Sequence, residues 1–430
     1  MKPIIQKNKN GSKFLIIPNK NVETVNVMIL TKAGSRMEDE SALGIAHFLE
    51  HMVFKGTVLR PTAQDINLEI ESLGAAANAF TSHEYTGYYI HGNKKHIDKY
   101  LKILSDVYFN SIFPKEEIVK EKGVVVEEIK MYREDHKSHA TKIFFNLAFK
   151  GSPFARPILG TEKTVNSFTQ QDLLNFRQKN YRSENLLVAM AGNVDSFDCL
   201  SLLTAAFDFK EPRPTLSQPD SKIPPTFNVR GGLGVKVAIE KRKIDQTHLR
   251  LGFKTVDIYS KLNPVAHVIN ALIGSGMGSI MFSVLREKNG YAYYTGSSNI
   301  SFSDAGVLMI YAGVAKDKLC DSIKIIMEEL KNITTKGVKY DDLKRAKEYI
   351  KGGLFMDLES SSSLNQYYAF DLLLKEKIES PTNYAKKIDL VSNSDIKSFM
   401  SACLAVKNIS LAVVGDVANK SELSFIINNF

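Results

Sequence analysis

The spacing of apolar and polar residues predicts a chain of alternating strands and helices. Runs such as "VETVNVMILTKAG", "EYTGYYIHG" and "THLRLGFKT" are rich in aromatic and β-branched residues, which is typical of β-strands. Between these runs lie stretches with the periodicity of amphipathic helices. Hairpin-like strands mixed with helices favour an α+β fold over a doubly wound parallel sheet.

Two helices near the N-terminus have recognisable ends. Ser41 is the predicted N-cap of a helix over residues 42–54. Thr62 and Asp65 have the spacing of a capping box at the start of a second helix, which Gly74 would close. These ends predict which residues share a helix face.

The chain also contains an internal repeat. "NLLVAMAGNV", Asn185–Val194, aligns without gaps with "NISLAVVGDV", Asn408–Val417, a shift of 223 positions. The ten matched residues alone are compatible with chance similarity between two buried strands. The same shift places Asp172 on Asp395, within the helix predicted before each copy, and this makes duplication the better interpretation.

A proline-rich stretch divides the chain near its midpoint. "EPRPTLSQPDSKIPPT", residues 211–226, holds five of the 13 prolines, and this composition disfavours both helix and sheet. We therefore predict an N-terminal domain over residues 1–210, a linker over 211–226 and a homologous C-terminal domain over 227–430. The fold class is α+β, with two similar tandem domains that each contain an antiparallel-rich sheet with helices packed on it.

Composition and charge exclude several classes of protein. The hydrophobic content of 44% and the charged content of 24% are those of a globular protein, and the net charge of +9 is spread along the chain. Basic clusters such as residues 241–243 are short and lack interleaved aromatic residues, so we expect neither a nucleic-acid nor a membrane partner.

The cysteines and the N-terminus predict a cytoplasmic protein. Cys199, Cys320 and Cys403 are odd in number and far apart, which is neither a disulfide framework nor a cysteine-based zinc site. The first residues contain no apolar core of signal-peptide length, and no apolar run is long enough for a membrane span.

One predicted helix carries a possible metal-binding pattern, His47-Phe48-Leu49-Glu50-His51. On a helix, His47 and His51 are one turn apart on one face, so both imidazoles can bind the same zinc ion. Glu50 flanks that face and can stand beside a water molecule without being a ligand. The alternative is a chance pattern of surface or core histidines, but these polar groups would be costly to bury on an apolar helix without a partner.

A catalytic zinc site needs a third protein ligand and keeps a fourth position for water. Residues 114–135 predict a helix that starts at a proline, with apolar residues recurring from Ile118 to Tyr132. Glu121 and Glu128 are two turns apart beside this apolar stripe. We predict Glu128 as the third ligand. Glu121 is predicted to be a carboxylate that contacts the ligands and does not bind the metal itself.

The motif His47-x-x-Glu50-His51 followed by Glu128 resembles the signature of the pitrilysin or insulinase-type zinc metallopeptidases. The branch of that family with single-half subunits includes the mitochondrial processing peptidases and their bacterial relatives. Two further segments carry the resemblance. "LGAAANAFTSHEYTGYY" is similar to the family's Asn-Ala-x-Thr strand, although Ala75 stands where a second glycine is common. "IGSGMGSIMFSVLREKNGYAYY" resembles its Gly-rich turn and Leu-Arg-Glu-Lys helix, and it lacks the third glycine of a dinucleotide-binding loop.

The resemblance implies a zinc-dependent endopeptidase that hydrolyses oligopeptides or unfolded, presequence-like segments. A zinc-bound water would have its pKa lowered from 15.7 towards about 7, and Glu50 would be the general base. Arg286 and Tyr293 match the family's Arg and Tyr that hold the substrate near the zinc. Asn78 and Ala79, on a strand rim, would pair with an extended peptide.

The second half of the chain acts as an internal control. When its corresponding helices are aligned on the first half, His267 falls on His47, but Asn270 replaces Glu50 and Ala271 replaces His51. Ala346 and Gly353 replace the two carboxylates of the other helix. We therefore predict one zinc ion per chain and a structural role for His267.

The resemblance also implies a clamshell made of two such halves, whereas this chain provides one. We expect a homodimer, or a heterodimer with a related subunit, in which the segment from Arg286 to Tyr293 reaches the partner's zinc. The alternative function is a non-catalytic partner or scaffold subunit of a heterodimeric processing peptidase. That alternative is disfavoured because the five metal-site positions, Arg286 and Tyr293 are all intact.

Overall fold

The computed structural model describes residues 2–207, 236–417 and 419–429. The predicted linker over 211–226 lies outside the described residues, so the boundaries at 210 and 227 stay predictions. The described chain forms two compact units. The first takes its residues from Met1–Lys130, Arg156–Pro225 and Asp357–Ile378. The second takes its residues from Met131–Ala155, Thr226–Met356 and Glu379–Phe430.

Within the residues that the structure describes, each unit contains one sheet and a set of helices. The strands are β1 (Ile4–Lys7), β2 (Lys13–Pro18), β3 (Thr24–Thr31), β4 (Ala76–Thr81), β5 (Thr86–Asn93), β6 (Leu186–Gly192), β7 (Lys236–Lys241), β8 (Gln246–Thr255), β9 (Ala292–Ser301), β10 (Gly306–Ala315) and β11 (Ile409–Gly415). The helices are α1 (Ile45–Val53), α2 (Ala63–Ser72), α3 (Ile97–Asn110), α4 (Lys115–Glu134), α5 (His136–Ala148), α6 (Glu162–Ser167), α7 (Gln170–Asn180), α8 (Ser196–Phe207), α9 (Asn263–Gly274), α10 (Leu319–Lys336), α11 (Tyr340–Asp357), α12 (Ser361–Lys375), α13 (Pro381–Leu390), α14 (Asn393–Cys403) and α15 (Lys420–Asn428). A π-helical segment, Phe282–Lys288, precedes β9.

The first unit is built on a six-stranded sheet with the order β1-β2-β6-β3-β5-β4. Only the β2–β6 pair is parallel. Side chains alternate between the two faces, so Val25, Val27 and Ile29 join a core with α1, α3 and α7. Met28 and Leu30 point to the opposite face, which α12 covers. Strand β4 is at the edge of this sheet.

The second unit has a five-stranded sheet with the order β7-β11-β8-β10-β9, in which only β7 and β11 are parallel. One face packs against α9, α10 and α14. The other face packs against α5 through an aromatic cluster that includes Phe144, Phe149 and Phe302. Both units therefore have the predicted α+β architecture with antiparallel-rich sheets.

The structure confirms the internal repeat. β6 and β11 are seven-residue strands, fully buried, and each is antiparallel to one neighbour and parallel to the other. The helix before each strand starts with a capping box, Thr169 with Asp172 in α7 and Ser392 with Asp395 in α14. The capping box predicted at Thr62 and Asp65 is also present.

One helix of each sequence half belongs to the unit formed mainly by the other half. α5 comes from the first half and lies in the second unit, and α12 comes from the second half and lies in the first unit. In the first unit, the buried Asn365 of α12 donates a hydrogen bond of 2.7 Å to the Asn26 side chain on β3. The two halves are thus linked by an exchange of helices.

Two further sequence predictions concern cysteines and membranes. Cys199, Cys320 and Cys403 are free thiols, with Cys199 buried. In the part of the chain that the structure describes, no helix combines the length and the apolar character needed to cross a lipid bilayer.

Candidate metal centre

Helix α1, which carries the histidines, starts later than predicted. Its N-cap is Gly44, and Ser41 lies in a separate helical turn, Glu40–Ala42, so the prediction of Ser41 as N-cap is wrong. Gly44 has a φ of 92°, and a Cβ there would lie 2.6 Å from the carbonyl oxygen of Leu159. Only glycine fits this tight, left-handed position. His47, Glu50 and His51 all lie within α1, so the later start does not change which of them share a helix face.

A glutamate upstream supplies the cap that Gly44 cannot provide. The carboxylate of Glu38 accepts hydrogen bonds from the backbone N–H of Gly44 at 2.8 Å and of Ala46 at 3.0 Å. Glu38 is buried. Because the first N–H groups of a helix have no partner within the helix, the side chain of Glu38 holds the start of α1 in place through these two hydrogen bonds. Sequence reasoning missed Glu38, since it lies outside the spacing of any local capping motif.

Helix α4 provides the two predicted glutamates. It begins directly after Pro114, and Ile118 and Val125 are buried as the apolar stripe predicts. Tyr132 is exposed, so the stripe does not extend that far. Glu121 is buried and Glu128 is partly buried, and both face α1.

The three predicted ligands converge on one point. Nε2 of His47 and Nε2 of His51 each lie 3.6 Å from Oε2 of Glu128. In a tetrahedral zinc site with bonds of about 2.0–2.2 Å, ligand atoms are about 3.4 Å apart. Oε2 of Glu128 is buried and has no hydrogen-bond partner among the described residues. The donor set and its spacing therefore fit a zinc ion.

Glu121 orients the second histidine. Its Oε1 lies 2.7 Å from Nδ1 of His51, and its Oε2 lies 2.6 Å from Nζ of Lys55. Burial opposes ionisation of Glu121, but the hydrogen bonds from His51 and Lys55 outweigh it and lower its pKa. With Nδ1 bound to a carboxylate, Nε2 of His51 is left facing Glu128. Sequence reasoning singled out Glu121 as a residue that supports the ligands, and it missed Lys55.

The two histidines have opposite electrostatic tendencies. Burial, with a smaller effect from His51, lowers the pKa of His47 to about 3, so this ring is neutral and ready to act as a ligand. Burial also opposes the charged form of His51, but the hydrogen bond that its Nδ1–H donates to Glu121 and the neighbouring carboxylates raise its pKa. Below this raised pKa, zinc binding would displace a proton from His51.

Glu50 lies beside the ligands and is not one of them. Its Oε2 accepts a hydrogen bond of 2.7 Å from the hydroxyl of Thr81 at the end of β4. Burial raises the pKa of Glu50, although the Thr81 hydrogen bond favours the ionised form. Thr81 belongs to the Asn-Ala-x-Thr segment, but sequence reasoning assigned it no role.

The predicted substrate-binding residues lie in two places. Asn78 and Ala79 are on the edge strand β4, where they pair with Tyr89 and Tyr88 of β5. Arg286 is exposed in the π-helical segment of the second unit, with its guanidinium 5.0 Å from the ring centre of Phe282. Tyr293 is exposed near the start of β9. The structure thus provides accessible side chains at Arg286 and Tyr293 and an edge strand at Asn78.

The helix of the second unit that corresponds to α1 lacks the ligands. In α9, His267 forms a hydrogen bond with the hydroxyl of Tyr384, which agrees with a structural role. The side chain of Asn270 accepts a hydrogen bond from Ser297 at 2.8 Å, and Ala271 is packed in the core.

The helix of the second unit that corresponds to α4 is α11, and it lacks both glutamates. In α11, Ala346 is fully buried where Glu121 would fall, and Gly353 provides no side chain at the place of Glu128. Across residues 2–207, 236–417 and 419–429, His47, His51 and Glu128 form the one group of three or more potential ligands close enough to share a metal ion.

This combination defines a class of protein. A helical His-x-x-Glu-His motif and a glutamate from a second helix, within an α+β unit that has a ligand-free copy, are features of a zinc metallopeptidase of the inverted-motif type. Residues 13–162 match the family described as insulinase, peptidase family M16, and residues 167–350 match its "inactive domain". The chain belongs to the insulinase family and is an enzyme of the metallopeptidase class.

Similar proteins agree with this assignment. The chain is 36% identical to a protein of Rickettsia felis named "Uncharacterized zinc protease", over 92% of this chain and 95% of the relative. It is 32% identical to the "Uncharacterized zinc protease YmxG" of Bacillus subtilis, over 83% of this chain and 84% of that protein.

Solved structures show the same fold. A protease from Helicobacter pylori superposes with a TM-score of 0.86 at 24% identity, over 96% of this chain and 99% of that chain. A peptidase M16 inactive domain from Pseudomonas fluorescens superposes with a TM-score of 0.87 at 16% identity, over 98% and 99% of the two chains.

Proposed function

We propose that this protein is a zinc-dependent endopeptidase that hydrolyses oligopeptides or unfolded, presequence-like segments. The observation that carries the proposal is the convergence of His47, His51 and Glu128, each ligand atom at a separation suited to zinc. These residues would hold one zinc ion per chain.

When bound, the zinc would polarise a water molecule and lower its pKa towards about 7. Glu50 would accept the proton of that water and later deliver it to the leaving amine. Its place beside His51, outside the ligand set, suits this role, and burial raises its pKa, which makes its carboxylate more basic than that of an exposed glutamate. Glu121 and Lys55 would keep the His51 ring in its ligating orientation.

The substrate would bind as an extended strand. Strand β4 is the edge of its sheet, so a peptide can add there by backbone hydrogen bonds, with Asn78 and Ala79 along its path. Arg286 and Tyr293 would hold the substrate backbone or stabilise the developing oxyanion. Cleavage of longer substrates would require them to be unfolded.

The active form would be a dimer. The family resemblance supports a homodimer, or a heterodimer with a related subunit, in which the segment from Arg286 to Tyr293 serves the partner's zinc. Light scattering on an active preparation should give the mass of two chains. An active monomer would contradict this arrangement.

The proposed activity is tested by metal analysis together with cleavage of a quenched peptide. We expect about one zinc per chain, loss of cleavage with a chelator and recovery on adding zinc. Glu50→Gln should reduce turnover by at least about a hundredfold while zinc content stays the same, because the base and not a ligand is lost. Glu127→Gln, on the exposed face of α4, is the matched control.

Two outcomes would contradict this assignment. Full activity of Glu50→Gln would remove Glu50 as the base. A zinc-loaded wild-type chain that cleaves no peptide, alone or with a related subunit, would instead support the scaffold function.

A further inference from the structure

We propose that Thr81 is a positioning residue that holds the carboxylate of Glu50 in the orientation required for proton transfer. This inference rests on the proposed function of Glu50 and adds a residue to it. It starts from one contact, the 2.7 Å hydrogen bond from the Thr81 hydroxyl to Oε2 of Glu50. Among the described residues, no other hydrogen bond reaches this carboxylate.

The contact leaves the base able to react. A glutamate side chain has several rotatable bonds, and fixing it in one geometry removes part of the entropic barrier to reaction. Thr81 occupies Oε2 only, so Oε1 remains available to accept a proton. The donor is a neutral hydroxyl, and it therefore favours the ionised carboxylate without the large loss of basicity that a lysine or arginine would cause.

Thr81 is itself held on a rigid support. It is the last residue of β4 and pairs with Thr86 across the hairpin. The turn that follows accepts two backbone hydrogen bonds from a neighbouring loop, Ser35 N–H to Ser82 O at 3.1 Å and Arg36 N–H to His83 O at 2.8 Å.

Two further features limit the movement of this hairpin. A buried ion pair between Arg36 and Glu84, with a distance of 2.9 Å, joins the same loop to the same turn. The β-branched side chain of Thr81 has few χ1 choices in a strand. The hydroxyl thus has a defined position relative to α1, as positioning of a catalytic group requires.

Thr81 also connects the base to the proposed substrate strand. It lies on β4, three residues from Asn78, so a peptide that adds to this edge would order the strand that orients Glu50. The expected signature is a loss in kcat with little change in KM, because the interaction acts on the reacting group and not on substrate affinity.

The test compares Thr81→Val with Thr81→Ser in the full-length, zinc-loaded protein. Val keeps the shape and removes the hydroxyl, and Ser keeps the hydroxyl. We expect Thr81→Val to lower kcat about tenfold, with KM changed less than about twofold and zinc content unchanged. Thr81→Ser should retain kcat within about threefold, because its hydroxyl can still donate to Glu50.

Thr31→Val is the matched control. Thr31 lies on β3 of the same sheet, and its buried hydroxyl has no hydrogen-bond partner among the described residues. This variant should keep wild-type kcat. Thermal unfolding of all three variants separates a loss of fold from a loss of orientation.

Several results would overturn the proposal. These are a kcat within about twofold of wild type for Thr81→Val, a rise in KM in place of the fall in kcat, or equal losses for the Val and Ser variants. Such results in an active enzyme with an inactive Glu50→Gln variant would remove the role of Thr81 and leave the proposed function intact. Absence of wild-type cleavage would overturn both.

Discussion

Helices α1 and α9 hold the same place in the two units, but only α1 carries potential catalytic groups. In α1, the buried His47 and the adjacent Glu50 interrupt an otherwise apolar face. In α9, Asn270 is bonded to Ser297 and Ala271 fills the core. Both helices cover their sheets, so the fold does not require the polar groups.

The comparison teaches which features belong to the site and which to the scaffold. Burying carboxylates and imidazoles costs free energy unless they have partners. The first unit provides such partners, since Lys55 and His51 satisfy Glu121 and Thr81 satisfies Glu50. In the second unit, Asn270, Ala271, Ala346 and Gly353 stand at four of the corresponding positions, and His267 is the one imidazole that is kept. The chemistry of the site is thus added to a scaffold that is stable without it.

The largest effect is expected from removing Glu128, the predicted zinc ligand whose counterpart in α11 is Gly353. Glu128→Gln should lower zinc content from about one per chain to near zero and abolish peptide cleavage, because two histidines alone do not make a stable catalytic site. Metal analysis after dialysis measures this. His267→Ala in the ligand-free helix should leave zinc content unchanged. Zinc retained by Glu128→Gln would show that the third ligand lies elsewhere.

A smaller effect is expected from replacing Glu121 with alanine. Alanine is the residue that α11 has at the corresponding position, Ala346. Glu121→Ala should weaken zinc binding by about 10–100-fold, because the His51 ring loses its orienting carboxylate. A competition titration with a chromogenic chelator measures the affinity. Glu127→Ala on the exposed side of α4 is the control, and equal losses for both variants would indicate a general effect of charge.

The third prediction concerns the start of the two helices. Glu38→Ala should lower the free energy of unfolding by about 2 kcal/mol, because two N–H groups at the start of α1 lose their acceptor. α9 begins at Asn263, with Pro264 in its first turn, and has no side-chain cap, so it has no such dependence. Denaturant unfolding is the measurement. Glu40→Ala, at an exposed position, should change stability by less than about 0.5 kcal/mol, and a similar result for Glu38→Ala would refute the capping role.

The last prediction concerns the dependence of zinc affinity on pH. Because the neighbouring carboxylates raise the pKa of His51 in the metal-free protein, this ring is protonated below that pKa and must lose its proton to bind zinc. Zinc affinity should be full above this pKa and fall at least about tenfold for each pH unit below it. His47 adds nothing over this range, since its pKa is lowered to about 3. Isothermal titration at several pH values would show the slope, and a flat profile would contradict the His51 assignment.

Much of this protein could be predicted from local patterns. The capping box at Thr62 and the strands of the repeat depend on residues close in sequence, and all are present. The start of α1 could not be predicted in this way. Its N–H groups are capped by the side chain of Glu38, six residues before Gly44, and Gly44 itself has a positive φ. The placement of α5 in the second unit and of α12 in the first could not be predicted either, because it depends on which sheet face each helix covers.

The sequence by itself determined the ligand types, the helical spacing of His47 and His51 and the absence of ligands in the second half. These features follow from the periodicity of a single helix or from direct alignment of two segments. Only the tertiary structure decided that Glu128 meets both histidines, that Lys55 holds Glu121 and that Thr81 reaches Glu50. Contacts between elements distant in sequence arise from packing against a common core, and no local repeat in the chain encodes their distances.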